Sequence, residues 1–185
     1  MEKIILIGGG GFCGDIIDTI LLAKKYKIAG IIDLKSSIEK EILGVPVIGE
    51  DKDIEKYFKK GIKNCFIALG SIGKPGLRIK LFNLAKRAGF RFPNIIHPVA
   101  IISKSAQLGD GNYIAANVII NQKAKIGNFC ILNTSTLIGH HCDIGDFVHI
   151  APGVTISGGV VIGKRSHIGT GALAIQYRKI GKDTI

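Results

Sequence analysis

An apolar residue recurs at every sixth position from residue 96 onward, and this period constrains the fold more than any other feature of the chain. The repeat occupies fifteen positions, which hold twelve Ile, two Leu and one Ala. These positions are Ile96, Ile102, Leu108, Ile114, Ile120, Ile126, Leu132, Ile138, Ile144, Ile150, Ile156, Ile162, Ile168, Ala174 and Ile180. A period of six fits neither an amphipathic helix nor a simple alternating strand. It is typical of a short strand followed by a turn, so three repeats are predicted to close one triangular coil.

Two other positions of the repeat support this prediction. The residue after the apolar position is often Gly, as at Gly127, Gly139 and Gly145. We expect these glycines to ease the corners, where a positive φ is needed. The fourth residue after the apolar position is small or β-branched, as at Cys130 and Val148, which suits the narrow interior of a coil. The predicted fold of this half is a parallel β-helix whose coils stack at roughly 4.8 Å with Ile inside.

The N-terminal half follows a different pattern, in which short apolar strands alternate with helices. The predicted strands are Ile4–Ile7, Ile28–Ile32 and Cys65–Leu69, and the predicted helices are Asp15–Lys25, Asp51–Lys60 and Leu77–Ala88. This βαβαβ order predicts a parallel sheet with helices on its faces. The chain is therefore divided into a Rossmann-like α/β domain at 1–94 and a β-helix domain at 95–185.

A glycine-rich turn joins the first predicted strand to the first predicted helix. Residues Gly9 to Gly14 match GxGxxG, and Asp33 ends the second strand nineteen residues later. Such glycines let a phosphate approach the amides of a helix N-terminus. The repeat begins before a second mononucleotide half fits, so a nucleoside diphosphate with Asp33 near its base or ribose is favoured over NAD. A tight turn that binds no ligand stays an alternative.

Charge and cysteine content narrow the partners. The 25 Lys and Arg against 14 Asp and Glu give a formal charge of +11. We interpret this charge first as a solvated basic surface and second as a preference for anionic small-molecule substrates. Nucleic acid is not expected, because the basic residues do not alternate with exposed aromatic residues. The four cysteines are far apart and form no CxxC pair, which indicates reduced thiols. No segment resembles a membrane span or a secretory signal, so a cytoplasmic protein is expected.

Three histidines lie close together in "LIGHHCDIGDFVHIAPG", Leu137 to Gly153. Residues three repeats apart lie above one another, so His140 is predicted to lie next to Gly158 and His149 next to His167. We expect the bare backbone at Gly158 to leave room for a ligand beside His140. For His167 an exposed position without a ligand role is favoured.

The chain resembles the left-handed β-helix acetyltransferases of bacterial surface-sugar pathways. These include UDP-4-amino-sugar N-acetyltransferases of bacillosamine synthesis and proteins like sialic acid O-acetyltransferases. The resemblance rests on "KIILIGGGGFCG", "GIID", "FIALGS", "IIHPVAIIS", "VIINQKAKIG", "ILNTSTLIGHHCDIGDFVHIAPG" and "VVIGKRSHIGTGA". It implies a left-handed β-helix, a homotrimer with the active site between subunits, and acetyl-CoA as co-substrate without a metal.

The resemblance also implies a role for each site residue. His140 matches the general base, and His141 takes the place of an acidic residue that usually supports this base. His149, Gly158 and Thr170 match positions at acetyl-CoA, and an amide near Gly158 is suited to stabilise the thioester oxyanion. The positions matched to the nucleotide-sugar are Gly10, Gly11, Phe12, Asp33, Gly70 and Asn133. Phe12 stands where many relatives have a histidine, and Leu34 replaces a second acidic residue.

The expected activity is acetyl transfer to the amine of a nucleotide-linked sugar in surface glycan synthesis. A sugar or sialic acid O-acetyltransferase is the first alternative. A zinc hydratase of the γ-carbonic anhydrase kind and a non-catalytic β-helix scaffold are alternatives of other classes. The last predicted coil, Ala174 to Ile185, is shorter than the resemblance implies. Two interpretations stay open: the sequence is cut here, or the protein lacks part of the CoA pocket.

Overall fold

The computed structural model describes residues 1–34 and 40–185 in two compact units. The first unit comprises Met1–Gly70 and Gly76–Pro93, and the second comprises Ser71–Pro75 and Asn94–Ile185. The short segment Ser71–Pro75 therefore belongs with the repeat, although it precedes the last helix of the first unit.

Across its described residues, the first unit is a five-stranded sheet with three α-helices. Its strands are β1 Glu2–Ile7, β2 Tyr26–Ile32, β3 Glu41–Ile42, β4 Val45–Gly49 and β5 Asn64–Ile67. Its helices are α1 Gly11–Ala23, α2 Ile54–Lys59 and α3 Gly76–Ala88, with a 3-10 turn at Asp51–Asp53 before α2. The strand order is β3-β4-β2-β1-β5, and every pair is parallel except β3 with β4. The predicted Rossmann-like βαβαβ arrangement is confirmed.

Two details of this unit differ from the prediction. Helix α1 begins at Gly11, four residues before the predicted start at Asp15, and the Cys13 N–H donates to the Gly10 oxygen at 2.8 Å. Strands β3 and β4 were not predicted, because Gly44 and Pro46 interrupt the apolar pattern and favour a turn. The glycine turn therefore leads directly into a helix N-terminus.

The second unit is a parallel β-helix of fifteen two-residue strands, and this confirms the predicted fold. The strands of the first face are β7 Ile101–Ile102, β10 Ile119–Ile120, β13 Leu137–Ile138, β16 Thr155–Ile156 and β19 Leu173–Ala174. Those of the second face are β8 Gln107–Leu108, β11 Lys125–Ile126, β14 Asp143–Ile144, β17 Val161–Ile162 and β20 Lys179–Ile180. Those of the third face are β6 Ile95–Ile96, β9 Tyr113–Ile114, β12 Ile131–Leu132, β15 His149–Ile150 and β18 His167–Ile168.

The repeat positions form the core of the β-helix. Ile138, Ile150 and Ile156 are fully buried, as are small residues such as Val148 and Cys130. Polar small residues donate to backbone carbonyls inside the coil. The Cys142 thiol donates to the Ser157 oxygen at 3.1 Å, and the Ser166 hydroxyl donates to the Gly181 oxygen at 2.7 Å. These bonds satisfy buried carbonyls that face the interior of the coil.

The prediction about the glycines after the apolar positions is wrong in its reason. Gly127, Gly139 and Gly145 do not have positive φ. The residues with a left-handed backbone lie two positions later, at Phe129, His141 and Phe147. A Cβ added at Gly139 would lie 2.6 Å from the backbone nitrogen of Gly158, in the next coil. These glycines are therefore needed because successive coils approach too closely for a side chain.

The outward residues differ between two faces of the β-helix. Those of the first face are mainly apolar: Ile101, Ile119, Leu137, Thr155 and Leu173. At the two ends of this column, Ile101 is 64% exposed and Leu173 is 77% exposed. Those of the second face are mainly polar: Gln107, Lys125, Asp143, Val161 and Lys179. Within residues 1–34 and 40–185, no helix has the length and apolar content needed to cross a membrane.

Candidate active site

Two glycines of the glycine-rich turn are explained by contacts within the first unit. Gly8 has a φ of 106°, and a Cβ there would lie 2.4 Å from Leu69 Cγ. A Cβ at Gly9 would lie 2.6 Å from the Asp33 carboxylate oxygen Oδ2. A tight turn by itself therefore accounts for glycine at these two positions.

Gly10 and Gly11 have no such explanation. A Cβ at either position would meet no atom within 4 Å, and Gly10 has an ordinary φ of −78°. Gly10 is the N-cap of α1, and no side chain caps this end of the helix. Exposed amides at a helix N-terminus attract anionic groups, and the absence of side chains lets such a group approach the backbone.

The other candidate residues of the first unit lie around this turn. A Cβ at Gly70 would be 3.9 Å from Phe12 Cβ, so β5 and the start of α1 meet here. Asp33 follows β2 and its backbone N–H donates to the Gly49 oxygen at 3.0 Å. Burial, together with the negative charge of Asp33, raises the pKa of the Cys13 thiol to about 12. The structure thus brings Gly10, Gly11, Phe12, Asp33 and Gly70 to one edge of the sheet.

His140 lies at a corner of the β-helix, directly against Gly158 of the next coil. A Cβ at Gly158 would lie 2.5 Å from His140 Cε1 and 2.6 Å from Nε2. The space beside Gly158 that was expected to receive a ligand is therefore filled by the His140 ring itself. Glycine is required at position 158 because the imidazole rests on its Cα.

His141 forms a hydrogen-bonded pair with His140. The two Nδ1 atoms are 3.0 Å apart, and both rings are exposed. His141 has a φ of 58°, and its N–H donates to the Gln122 oxygen at 3.1 Å, which fixes its backbone. One Nδ1 must carry a proton and the other must accept it. When His140 is the donor, its Nε2 carries the free lone pair that a general base needs.

The Gly158 N–H is available at the same corner. Within the described ranges, no hydrogen-bond acceptor is found for it, whereas the Gly159 N–H donates to the His140 oxygen at 2.8 Å. A backbone N–H beside an imidazole Nε2 can stabilise negative charge on an oxygen while the imidazole moves a proton. The corner therefore places an imidazole nitrogen next to a backbone N–H.

His149 lies on the third face and is buried. Its Nδ1 bonds to the Ser71 backbone oxygen at 2.5 Å, so Nδ1 is the protonated nitrogen. Its ring contacts the His167 ring edge-on, with centroids 4.8 Å apart, as the spacing of three repeats per coil predicts. His167 is partly buried rather than exposed as expected, because His149 covers one side of its ring. Burial lowers the pKa of His167.

Asn133 and Thr170 lie at a different corner from His140. The Asn133 side-chain oxygen accepts from the Thr134 N–H at 2.9 Å, and Thr170 is exposed two coils further on. One chain therefore brings together His140, His141 and Gly158, but it does not bring Asn133 or Thr170 to them.

No set of three or more His, Cys, Asp and Glu side chains with the geometry of a metal site occurs among residues 1–34 and 40–185. The stacked pair His149 and His167 is not part of such a set within one chain.

Sequence reasoning missed two residues near these positions. Ser71 contacts His149 through a backbone oxygen, which no sequence pattern indicates. Tyr177 lies on Gly159, because a Cβ at Gly159 would be 2.5 Å from the Tyr177 ring. The spacing of three repeats per coil that places His140 next to Gly158 also places Gly159 next to Tyr177, so this contact was predictable.

The fold is that of the left-handed β-helix acyltransferases that carry an N-terminal Rossmann-like domain. The PglD N-terminal domain family matches residues 3–84. A variant of GDP-perosamine N-acetyltransferase from Caulobacter crescentus has been solved with CoA and GDP-perosamine. It is 34% identical to this chain, with a TM-score of 0.92, and the match covers 99% of this chain and 84% of that chain. The acetyltransferase domain of PglB from Neisseria gonorrhoeae FA1090 is 30% identical with a TM-score of 0.88, covering 98% of this chain and 86% of that chain.

WeeI from Acinetobacter baumannii AYE, at 20% identity and a TM-score of 0.67 over 98% of this chain and 94% of that chain, shares the fold. A comparison with curated protein sequences gave no significant match. The chain belongs to the family of hexapeptide-repeat sugar acetyltransferases, which confirms the resemblance seen in its sequence.

Proposed function

We propose that this acetyltransferase moves the acetyl group of acetyl-CoA to the amine of a nucleotide-linked sugar, with His140 as the general base. The observation that carries the proposal is the His140 ring, which lies on Gly158 with its Nε2 beside the backbone. CoA and GDP-perosamine are bound in the GDP-perosamine N-acetyltransferase, and acetyl coenzyme A is bound in the PglB domain.

The corner residues divide the reaction between them. The amine attacks the thioester carbonyl while His140 Nε2 takes a proton from the amine nitrogen. The Gly158 N–H donates to the oxyanion of the tetrahedral intermediate. Collapse of the intermediate breaks the carbon–sulfur bond, and the thiolate of CoA receives the proton from His140. His141 accepts the His140 Nδ1–H and so holds the base in its reactive tautomer.

The glycine turn is the proposed site of the nucleotide. Gly10 and Gly11 leave the N-terminus of α1 open, and internal packing does not explain either glycine. A diphosphate there would accept from backbone amides, and Asp33 would face the ribose or base. Phe12 and Gly70 would border the sugar side of this site.

We also propose that the protein works as a homotrimer. His140 lies at one corner of the β-helix, while Asn133 and Thr170 lie at another, so a site that contains all three needs two copies of the chain. The mainly apolar first face offers a surface for such a copy, because Ile101 and Leu173 are largely exposed. His149 and Thr170 would then contact acetyl-CoA bound in a groove between copies.

The test measures thiol release from acetyl-CoA with GDP-perosamine and with UDP-linked 4-amino sugars as acceptors. We expect acetylated amine product, and at least a hundredfold lower kcat in His140→Ala, of the order of the loss of a general base. His97→Ala is the matched control, because it removes a histidine outside the proposed site. Full activity in His140→Ala would overturn the base assignment, and acetylation only of hydroxyl acceptors would overturn the amine assignment.

The assembly has a separate test. Light scattering should give the mass of three chains, and the double variant Ile101→Lys with Leu173→Lys should give single chains without activity. A fully active single chain would overturn the trimer. The place of the reaction in cytoplasmic steps of surface glycan synthesis stays a prediction from the resemblance.

A further inference from the structure

Two aromatic rings converge on the glycine pair Gly158–Gly159. The His140 ring lies on Gly158 from the preceding coil, and the Tyr177 ring lies on Gly159 from the following coil. A Cβ at Gly159 would be 2.5 Å from Tyr177 Cδ1 and 2.6 Å from Cε1. Each glycine of the pair is thus required by a different ring.

Backbone hydrogen bonds connect the same three coils. The Gly159 N–H donates to the His140 oxygen at 2.8 Å, and the Tyr177 N–H donates to the Gly158 oxygen at 3.1 Å. The peptide between Gly158 and Gly159 is therefore bonded on both sides. Two consecutive glycines have more backbone freedom than any other pair, so this segment needs outside contacts to keep one conformation.

The position of Tyr177 distinguishes it from another aromatic residue at a corner. Phe147 has nearly the same left-handed backbone, with φ of 57° against 59° for Tyr177. Phe147 stacks on the ring of Phe129, with centroids 5.1 Å apart. Tyr177 instead covers a glycine of the preceding coil, Gly159.

We infer that Tyr177 is a positioning residue for acetyl transfer, whose ring holds the Gly158–Gly159 pair against His140 and so orients the Gly158 N–H. This inference rests on the proposed function for the role of the N–H, although the restraint on the glycines stands without it. The phenol hydroxyl has no part in this role. The aromatic ring is what the glycine pair contacts.

Substitutions of Tyr177 test the role through kinetics. Tyr177→Ala should lower kcat about tenfold, part of the ~10²–10³ that loss of an oxyanion donor costs, with the KM for acetyl-CoA changed less than about twofold. Tyr177→Phe should keep wild-type kcat because the ring remains. Phe147→Ala is the matched control: it removes an aromatic ring from the same kind of turn, lowers the melting temperature and leaves kcat unchanged.

A kcat in Tyr177→Ala equal to that of the wild type would overturn the inference. An equal loss in Phe147→Ala would also overturn it, because general loosening of the β-helix would then explain the result. A loss of activity in Tyr177→Phe would assign the effect to the hydroxyl and would overturn the ring-based role.

A second measurement does not depend on activity. In protein labelled with ¹⁵N-glycine, the Gly158 and Gly159 amides should lose order on the picosecond-to-nanosecond timescale in Tyr177→Ala and keep it in Phe147→Ala. Unchanged amides in Tyr177→Ala would overturn the restraint. A wild type that is inactive with every acceptor, but whose glycine amides respond as expected, would refute the proposed function and leave the restraint supported.

Discussion

The pairing of two histidines in place of a histidine and a carboxylate leads to a test at position 141. His141→Asp places a carboxylate oxygen the same number of bonds from the backbone as His141 Nδ1, which lies 3.0 Å from His140 Nδ1. His141→Asn has the same shape and accepts the same hydrogen bond without charge. Both Asp and Asn tolerate the left-handed backbone, with φ of 58°, that this position requires.

The expected gain follows from the charge that develops on His140. A carboxylate about 4 Å from an imidazolium contributes about 1 kcal/mol in water and about 4 kcal/mol at an effective dielectric constant of 20. Both rings are exposed, so the lower figure applies. About 1 kcal/mol corresponds to roughly a fivefold higher kcat/KM for His141→Asp. His141→Asn should remain near the wild type, and His141→Ala should fall below it, because the reactive tautomer is no longer held.

Thiol release from acetyl-CoA suits this assay, because the four cysteines of the protein are free and buried. The pKa of about 12 at Cys13 keeps its thiol protonated under assay conditions. Equal kcat/KM in the wild type and all three variants would refute a role for His141. A decrease in His141→Asp, with His141→Asn unchanged, would refute the electrostatic part.

Three further predictions concern single residues. Gly11→Ala should raise the free energy of unfolding of the free protein by up to about 1 kcal/mol, because the added Cβ meets no atom within 4 Å. Calorimetry should show that the same variant binds GDP or UDP at least tenfold more weakly. Unchanged affinity would favour a turn without a ligand. Gly158→Ala should abolish activity by displacing the His140 ring. Gly76→Ala, whose Cβ would meet no atom within 4 Å, should keep it, and activity in both variants would contradict the corner geometry. Burial lowers the pKa of His167 below 6.5, so the unfolded chain binds a proton at this residue more readily than the folded protein does. The stability that neutral His167 contributes is therefore present above about pH 6.5 and is lost as the pH falls. Thermal melting between about pH 5 and 8 should show this loss in the wild type, and a smaller one in His167→Gln; equal curves would contradict it.

The six-residue period was enough to predict the β-helix, because each Ile has the same environment in every coil. The same period, counted as three repeats per coil, placed His140 beside Gly158 and His149 beside His167. It did not give the reason for the glycines after the apolar positions. That reason lies in the distance between neighbouring coils, which is a property of the stack and not of one repeat.

Some parts of the candidate site had no sequence signal. The bond from His149 to Ser71 joins residues 78 positions apart through a backbone oxygen, so residue type carries no information about it. Strand β4 carries Pro46 and was missed, since its pairing with β2 depends on the surrounding sheet. The open space at Gly10 and Gly11 also emerged only when the neighbouring side chains were in place.

The sequence alone therefore determined the α/β fold, the β-helix and the register of its coils, because these depend on local periodicity. The same periodicity identified His140, His141 and Gly158 as neighbours. Only the tertiary structure decided which atoms meet. The structure brought together the His140 and His141 nitrogens, filled the space at Gly158 with an imidazole and placed Tyr177 on Gly159. These contacts depend on side-chain direction at a left-handed turn, which the spacing of residues along the chain does not encode.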